Sequence, residues 1–193
     1  MKQKKRLLFH VCCGPCSIAL FEELKEQFDE VVAYFYNPNI HPEKEYHKRK
    51  AEVERLCLDA KVSSVEGEYD MKQWFEKTNE FKENNEGGQR CRVCFDMRIA
   101  QAMQYAREHE FDTVATSITS GRNKKADVIN PIGASLSEKY NIVFLEADWK
   151  KGGRQEKGLA LTKEKEVYRQ EYCGCVYSLK ARKVQEARKA EEN

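Results

Sequence analysis

"RLLFHVCCGPCSIALFEELKEQF", residues 6–28, sets the fold. Arg6 to Val11 is a short apolar run of the length of a buried strand. Gly14-Pro15 then ends the strand, and Pro15 suits the first position of a helix whose apolar residues would be Ile18, Leu20, Phe21 and Leu24. A strand feeding straight into a helix opens a parallel β-α-β arrangement. Between the two stand three cysteines, Cys12, Cys13 and Cys16.

The same alternation continues outward. "VVAYFY" (Val31 to Tyr36) reads as a second strand stopped by "NPNIHPE", and Glu45 to Leu58 carries a charged helical pattern. "KVSSVEG" is a third, less hydrophobic strand. Met71 to Asn84 reads as helix, "EGGQR" breaks it, and a further helix runs from about Arg92 to Glu108. "TVATSI" and "IVFLEA" complete five strand candidates, separated by the loop "TSGRNKKADVINP" and a helix through "IGASLSEKY". The stretch from about residue 178 to 193 is a polar C-terminal helix with a solvated face. Together these predict an α/β parallel sheet of about five strands with helices on both faces, residues 1–193 forming a single domain. Ligands of such sheets sit beyond the carboxyl ends of the strands. Cys12, Cys13 and Cys16 fall at that edge, with the loops "NPNIHPE", "TSGRNKK" and "DWKKGGR".

A net charge of +2 over 193 residues is too small to argue for nucleic-acid binding by itself, so any basic footprint must be local. No stretch approaches the roughly 18 apolar residues of a membrane span, and "MKQKKRLLFHVCC" lacks the cleavage site of a signal peptide. The expectation is a cytoplasmic protein without a membrane partner. In a reducing compartment, eight cysteines point to metal or redox chemistry rather than structural disulfides.

Cys57 keeps helical spacing with Val53, Leu56 and Ala60 and reads as a small core residue. The other seven cysteines cluster as Cys12, Cys13 and Cys16, then Cys91 and Cys94 in "CRVC", then Cys173 and Cys175 in "CGC". Cysteines three apart on a helix share a face and can hold neighbouring corners of one metal centre. Cys12 and Cys13 can serve one centre only where the strand has ended, and Gly14-Pro15 supplies that break. Four thiolates from two motifs suit structural zinc or an iron-sulfur cluster alike. A zinc site on Cys13, Cys16, Cys91 and Cys94 leaves Cys12 and "CGC" unexplained. A disulfide within "CGC" would close a very small, strained ring, and strained bridges are the easily reduced, catalytic ones; the same pair could equally complete the metal site. The thioredoxin-like "CGPC" follows Cys12 rather than a tryptophan and uses only two of the seven thiols, so it ranks below a metal site.

The ordered set "HVCCGPCS", "YFYNPNIHPEKEYHKR", "CRVCFDMR", "TSITSGRNKKADVIN" and "YRQEYCGCVYS" resembles the cobalamin-independent epoxyqueuosine reductases over nearly the whole chain. The resemblance implies a Rossmann-like, nucleotide-hydrolase-related fold and removal of the epoxide oxygen from epoxyqueuosine at the wobble position of tRNA, the last step of queuosine biosynthesis. It implies a 4Fe-4S cluster on Cys12, Cys13, Cys91 and Cys94, an additional iron nearby, and Cys173 with Cys175 as a redox-active pair. Cys16 is then left beside the cluster as a ligand for the additional iron. The resemblance implies no cobalamin, and ATP is not expected either, since "CCGPCS" stands where ATP-using relatives carry a phosphate-cradling loop.

The partners implied are tRNA bearing epoxyqueuosine and an unidentified electron donor. Tyr36 and Asn37, at the end of strand two, are substrate-contact candidates. Arg122, Lys124 and Lys125 in "SGRNKK", and Trp149, Lys150 and Lys151 in "WKKGGR", offer the cations and stacking ring that an anticodon loop would want. His10, His41, Tyr36 and Tyr168 are the proton-donor candidates. A structural-zinc RNA-binding module and a thiol-disulfide oxidoreductase are the competing readings.

Overall fold

The computed structural model describes residues 4–191, so residues 1–3 and 192–193 of the expected domain and C-terminal helix lie outside the described residues. The strands are β1 (Arg6–His10), β2 (Glu30–Phe35), β3 (Ser63–Glu66), β4 (Thr113–Thr116) and β5 (Val143–Phe144). They form one parallel sheet in the order β3-β2-β1-β4-β5. The helices are α1 (Gly14–Ser17), α2 (Phe21–Gln27), α3 (Glu43–Ala60), α4 (Met71–Thr78), α5 (Gln89–Glu108), α6 (Ala126–Tyr140), α7 (Arg154–Glu164) and α8 (Val176–Glu191).

Strand side chains alternate between faces, so each strand feeds two cores. Leu7, Phe9, Val31, Ala33 and Phe35 pack with Phe21, Leu24, Val53 and Leu56 of α2 and α3. Leu8, Val32 and Tyr34 pack on the other face with Trp74 of α4, Ile99 and Met103 of α5, and Ile129 and Leu136 of α6. Each fully buried large apolar side chain contributes about 1.5–3 kcal/mol relative to exposure, so both layers are anchored by the same strands. Cys57 is buried in the α2–α3 core, as its spacing predicts. Among the described residues no helix is long and apolar enough to cross a membrane.

Five elements differ from the sequence expectation, the first being the helix expected over Met71 to Asn84, which stops at Thr78 and passes into a 3-10 turn, Asn79–Phe81. The helix expected to run on from Pro15 is split into α1 and α2, because the Ser17 hydroxyl donates to the Cys13 and Gly14 carbonyls at 3.0 and 3.2 Å and the chain turns there. α6 begins at Ala126 and carries Pro131 inside it, with Ile129 fully buried on its inner face. β5 is two residues long rather than six. α7 has no counterpart in the sequence reading: its buried residues are Gly158 and Thr162, which give no apolar stripe to detect.

Candidate metal and redox site

In the order β3-β2-β1-β4-β5 the connections from β1 and β4 diverge, leaving a crevice beyond their carboxyl ends. Cys12 follows β1 and is tied to the turn after β4: its N–H donates to Ser117 Oγ at 3.1 Å, and the Ser117 hydroxyl donates to its sulfur at 3.5 Å. The Sγ atoms of Cys12, Cys13 and Cys16 all lie within 4.8 Å of one another. Cys12 and Cys13 are 3.8 Å apart. The one-turn α1 holds this trio in place. A Cβ on Gly14 would come 2.8 Å from Val167 and 2.9 Å from Leu56, so only glycine lets the turn press this closely on α3.

The trio favours one thiolate. Hydrogen bonds from Cys13 and Cys16, together with the Arg98 charge, hold the Cys12 thiol well below its ordinary value. Hydrogen bonds to Cys12 and Cys13, with burial, push the Cys16 thiol up, and the hydrogen bond with Cys12, with burial, does the same to Cys13. A cation is what would allow the remaining thiols to ionise together.

Cys91, Cys94 and Arg98 are spaced i, i+3 and i+7 on α5 and form one stripe. Cys91 Sγ accepts the Gly87 N–H at 3.2 Å. Cys94 is buried, which raises its pKa, while Arg98 pulls it down. Both cysteines share an apolar cluster with Trp74 and Cys175. They are not part of the trio that lies within 4.8 Å.

The "CGC" turn is clamped from several sides. Buried Arg49 donates to the Cys173 and Tyr172 carbonyls at 3.0 and 3.1 Å while its Nε binds Glu45 at 2.7 Å. The His41 N–H donates to the Gly174 carbonyl at 2.9 Å. Gly174 has φ +143, and a Cβ there would sit 3.2 Å from Asn39 and Ile40, so glycine is required on both counts. The two thiols are not bridged. Burial pushes the Cys173 thiol up to about 11, with Lys124 pulling the other way. Gln170 Nε2 donates to Cys13 Sγ at 3.0 Å, linking this segment back to the trio.

A cavity of about 550 Å³ opens over these groups, lined by Cys12, Cys16, Cys173, Arg98, Arg122 and Lys124 among others. The expected contact residues are scattered in their placement. Arg122, Lys125 and Lys151 are exposed. Lys124 turns inward against Glu86 at 2.7 Å and Cys173, and the Lys150 ammonium is spent on the Lys124 carbonyl. Trp149 is buried with its indole N–H on the Thr116 carbonyl at 2.9 Å. Tyr36 and Asn37 are buried too, Asn37 bridging the Val11 carbonyl and Arg98. None of His10, His41, Tyr36 and Tyr168 lines the cavity. His10 is sealed between Thr116 Oγ1 at 2.8 Å and the Tyr36 carbonyl at 3.1 Å, and burial drives its pKa down to about 3. The sequence reading missed Arg98, Arg49 and Gln170; the Cys-x2-Cys-x3-Arg spacing on α5 was the available signal for the first.

Fold and site define a Rossmann-like α/β protein with a thiol-lined cavity at the point where its strand order reverses. The family model for epoxyqueuosine reductase QueH matches residues 7–181. The chain is 39% identical over 176 residues to epoxyqueuosine reductase QueH of Histophilus somni, covering 91% of this chain and 72% of that protein. For the Acinetobacter baylyi protein of the same name the identity is 39%, with 91% and 81% covered. For that of Thermotoga maritima it is 33%, with 94% of each covered. The chain belongs to the epoxyqueuosine reductase QueH family. Among solved structures, the U34-tRNA thiolase NcsA from Methanococcus maripaludis with its [4Fe-4S] cluster superposes with a TM-score of 0.59 at 14% identity, over 92% of this chain and 62% of that one. That likeness is one of fold.

His41, behind the "CGC" turn, gives the site a pH signature. It packs against Trp74 and Phe75 with ring centroids at 5.0 and 4.8 Å, and burial pushes its imidazole down to about 4. The unfolded chain therefore binds this proton first, so the stability is intact above pH 6.5 and is lost as pH falls toward 4. By pH 5 the loss is about 2 kcal/mol. Urea midpoints of matched samples at pH 7 and 5 should differ less for His41→Phe than for the wild type; an equal difference would remove His41 from the pH response.

Proposed function

We propose that this chain reduces epoxyqueuosine to queuosine at the wobble position of tRNA, acting as a cytoplasmic oxidoreductase that needs neither cobalamin nor ATP. Membership of the QueH family supports the reaction. The single structural observation that carries the reading is the cavity into which Cys12, Cys16 and Cys173 all open at the β1/β4 crevice. It brings residues of the first and last cysteine motifs to one place, beside the cations a substrate oxygen would meet.

The donor set suits the expected metal. The trio is all sulfur, the chemistry of iron-sulfur and zinc sites rather than of magnesium or calcium, and its members are close enough to serve adjoining metal positions. Cys12, Cys13, Cys91 and Cys94 would hold a [4Fe-4S] cluster and Cys16 an additional iron, supplying single electrons and a Lewis acid for the epoxide oxygen. The fold likeness to a tRNA thiolase named with such a cluster fits this assignment.

The remaining chemistry belongs to the chain's own residues. Converting an epoxide to an alkene and water consumes two electrons and two protons. Oxidation of the Cys173 and Cys175 thiols to one disulfide releases that number of each, and the strained bridge is readily reduced again by an external electron donor. Cys173 opens on the cavity with the Lys124 ammonium beside it, while Cys175 lies buried behind Gly174. Arg49 and the His41 N–H fix the backbone between them.

Nucleoside mass spectrometry of tRNA carrying epoxyqueuosine tests the reading directly. The wild type should yield queuosine over many turnovers, and Cys173→Ser with Cys175→Ser should lose multiple turnover with a physiological reductant; undiminished turnover would rule out the dithiol role. Arg122 and Arg182 both line the cavity and would meet RNA phosphates. Replacing each by alanine should weaken tRNA binding and lower the slope of log affinity against log salt by about one per residue. Unchanged slopes would place the RNA elsewhere.

A further inference from the structure

Arg98 is 3% exposed, yet no carboxylate lies within ion-pair distance of it among the described residues. Among the described residues its one side-chain hydrogen bond runs from Nη2 to Asn37 Oδ1 at 2.6 Å, and its Nε is buried without a partner. Arg49, the other buried guanidinium facing the cysteines, has Glu45 at 2.7 Å and two backbone carbonyls. A guanidinium carries five donors and cannot shed its proton in a protein. Burying one with a single neutral acceptor costs several kcal/mol unless an anion is close by. The groups placed to supply that anion are thiolates. Arg98 stands one helical turn beyond Cys94, seven residues beyond Cys91, and lines the same cavity wall as Cys12. Its charge acts on both Cys12 and Cys94.

We propose that Arg98 is the built-in counter-cation of the cysteine centre, fixed by Asn37 between the α5 cysteine pair and the cysteine turn after β1, and that it holds the centre's reduction potential up. This rests on the iron-sulfur reading above. Each electron added to a thiolate-bound cluster adds negative charge, so a fixed, buried cation beside it favours the reduced form, and its removal favours the oxidised one. Asn37 is the positioning element: its Nδ2 is held by the Val11 carbonyl at 2.9 Å at the end of β1, leaving Oδ1 aimed at the guanidinium. Arg98 acts through the centre and is a positioning residue.

The test is an EPR-monitored potentiometric titration of the cluster-loaded full chain, with iron and sulfide counted in each sample. Arg98→Met should need a more negative potential, its reduction equilibrium falling at least tenfold, about 59 mV for one electron. Arg98→Lys, which keeps the charge, should stay within threefold of the wild type. Loss of the cluster in Arg98→Met but not in Arg98→Lys would also support the counter-cation role. A wild-type potential in Arg98→Met, with or without a raised KM for tRNA, would overturn it. Cluster loss in both variants would overturn it as well, by showing that guanidinium shape and not charge is what the site needs. A wild-type chain that binds zinc and no sulfide would defeat the iron-sulfur reading itself, and this inference with it.

Discussion

Leu7, Leu8, Phe9 and His10 each pair with β2 on one side and β4 on the other, and the site depends on that two-sided pairing. The helices leaving β2 and those flanking β4 pack on opposite faces, so the turns after β1 and β4 separate and leave a crevice. Cys12 to Cys16 occupy one lip of it and Ser117 to Lys124 the other. The same pairing closes the strand ends off from solvent. His10, Asn37 and Thr116 at the strand ends are all buried, and each is satisfied by a neighbouring strand end or by Arg98.

Crowding thiols creates an electrostatic demand that the fold answers locally. Three inward-facing cations face three parts of the cysteine set: Arg98 toward Cys12 and Cys94, Arg49 toward Cys13, and Lys124 toward Cys173. Each is held differently. Arg49 is neutralised by Glu45 and serves as a clamp on the "CGC" backbone; Lys124 is shared between Glu86 and Cys173; Arg98 has only Asn37 among the described residues. The overall charge of +2 says nothing about this arrangement, because the cations that matter are buried and specific.

The fold was legible where side-chain periodicity is strong. Apolar runs at residues 6–11 and 31–36 announce strands buried on both faces, and their alternation with helical stretches announces a parallel sheet, although strand order is not written in any local pattern. The cysteine motifs could be read as a site because seven of eight thiols cluster in three short segments. What could not be read is which way loop side chains turn. "SGRNKK" and "WKKGGR" look like solvated basic loops, but Trp149 fills the α2–α3 core, Lys150 donates to the Lys124 carbonyl, and Lys124 turns in to Glu86 and Cys173. The reverse holds for the C-terminal helix, read as solvated, whose Ser178, Arg182 and Gln185 form part of the cavity wall. α7 escaped notice because it packs through glycine and threonine rather than an apolar stripe.

The central proposal is that Cys12, Cys13, Cys91 and Cys94 hold an iron-sulfur centre beside this cavity. Anaerobic purification followed by iron, zinc and acid-labile sulfide analysis, with visible and EPR spectra before and after dithionite, tests it most directly. The account predicts brown protein with near four sulfides, at least as many irons, and a signal that appears on reduction. Colourless protein with stoichiometric zinc and no sulfide, unchanged after attempted cluster reconstitution, would contradict it.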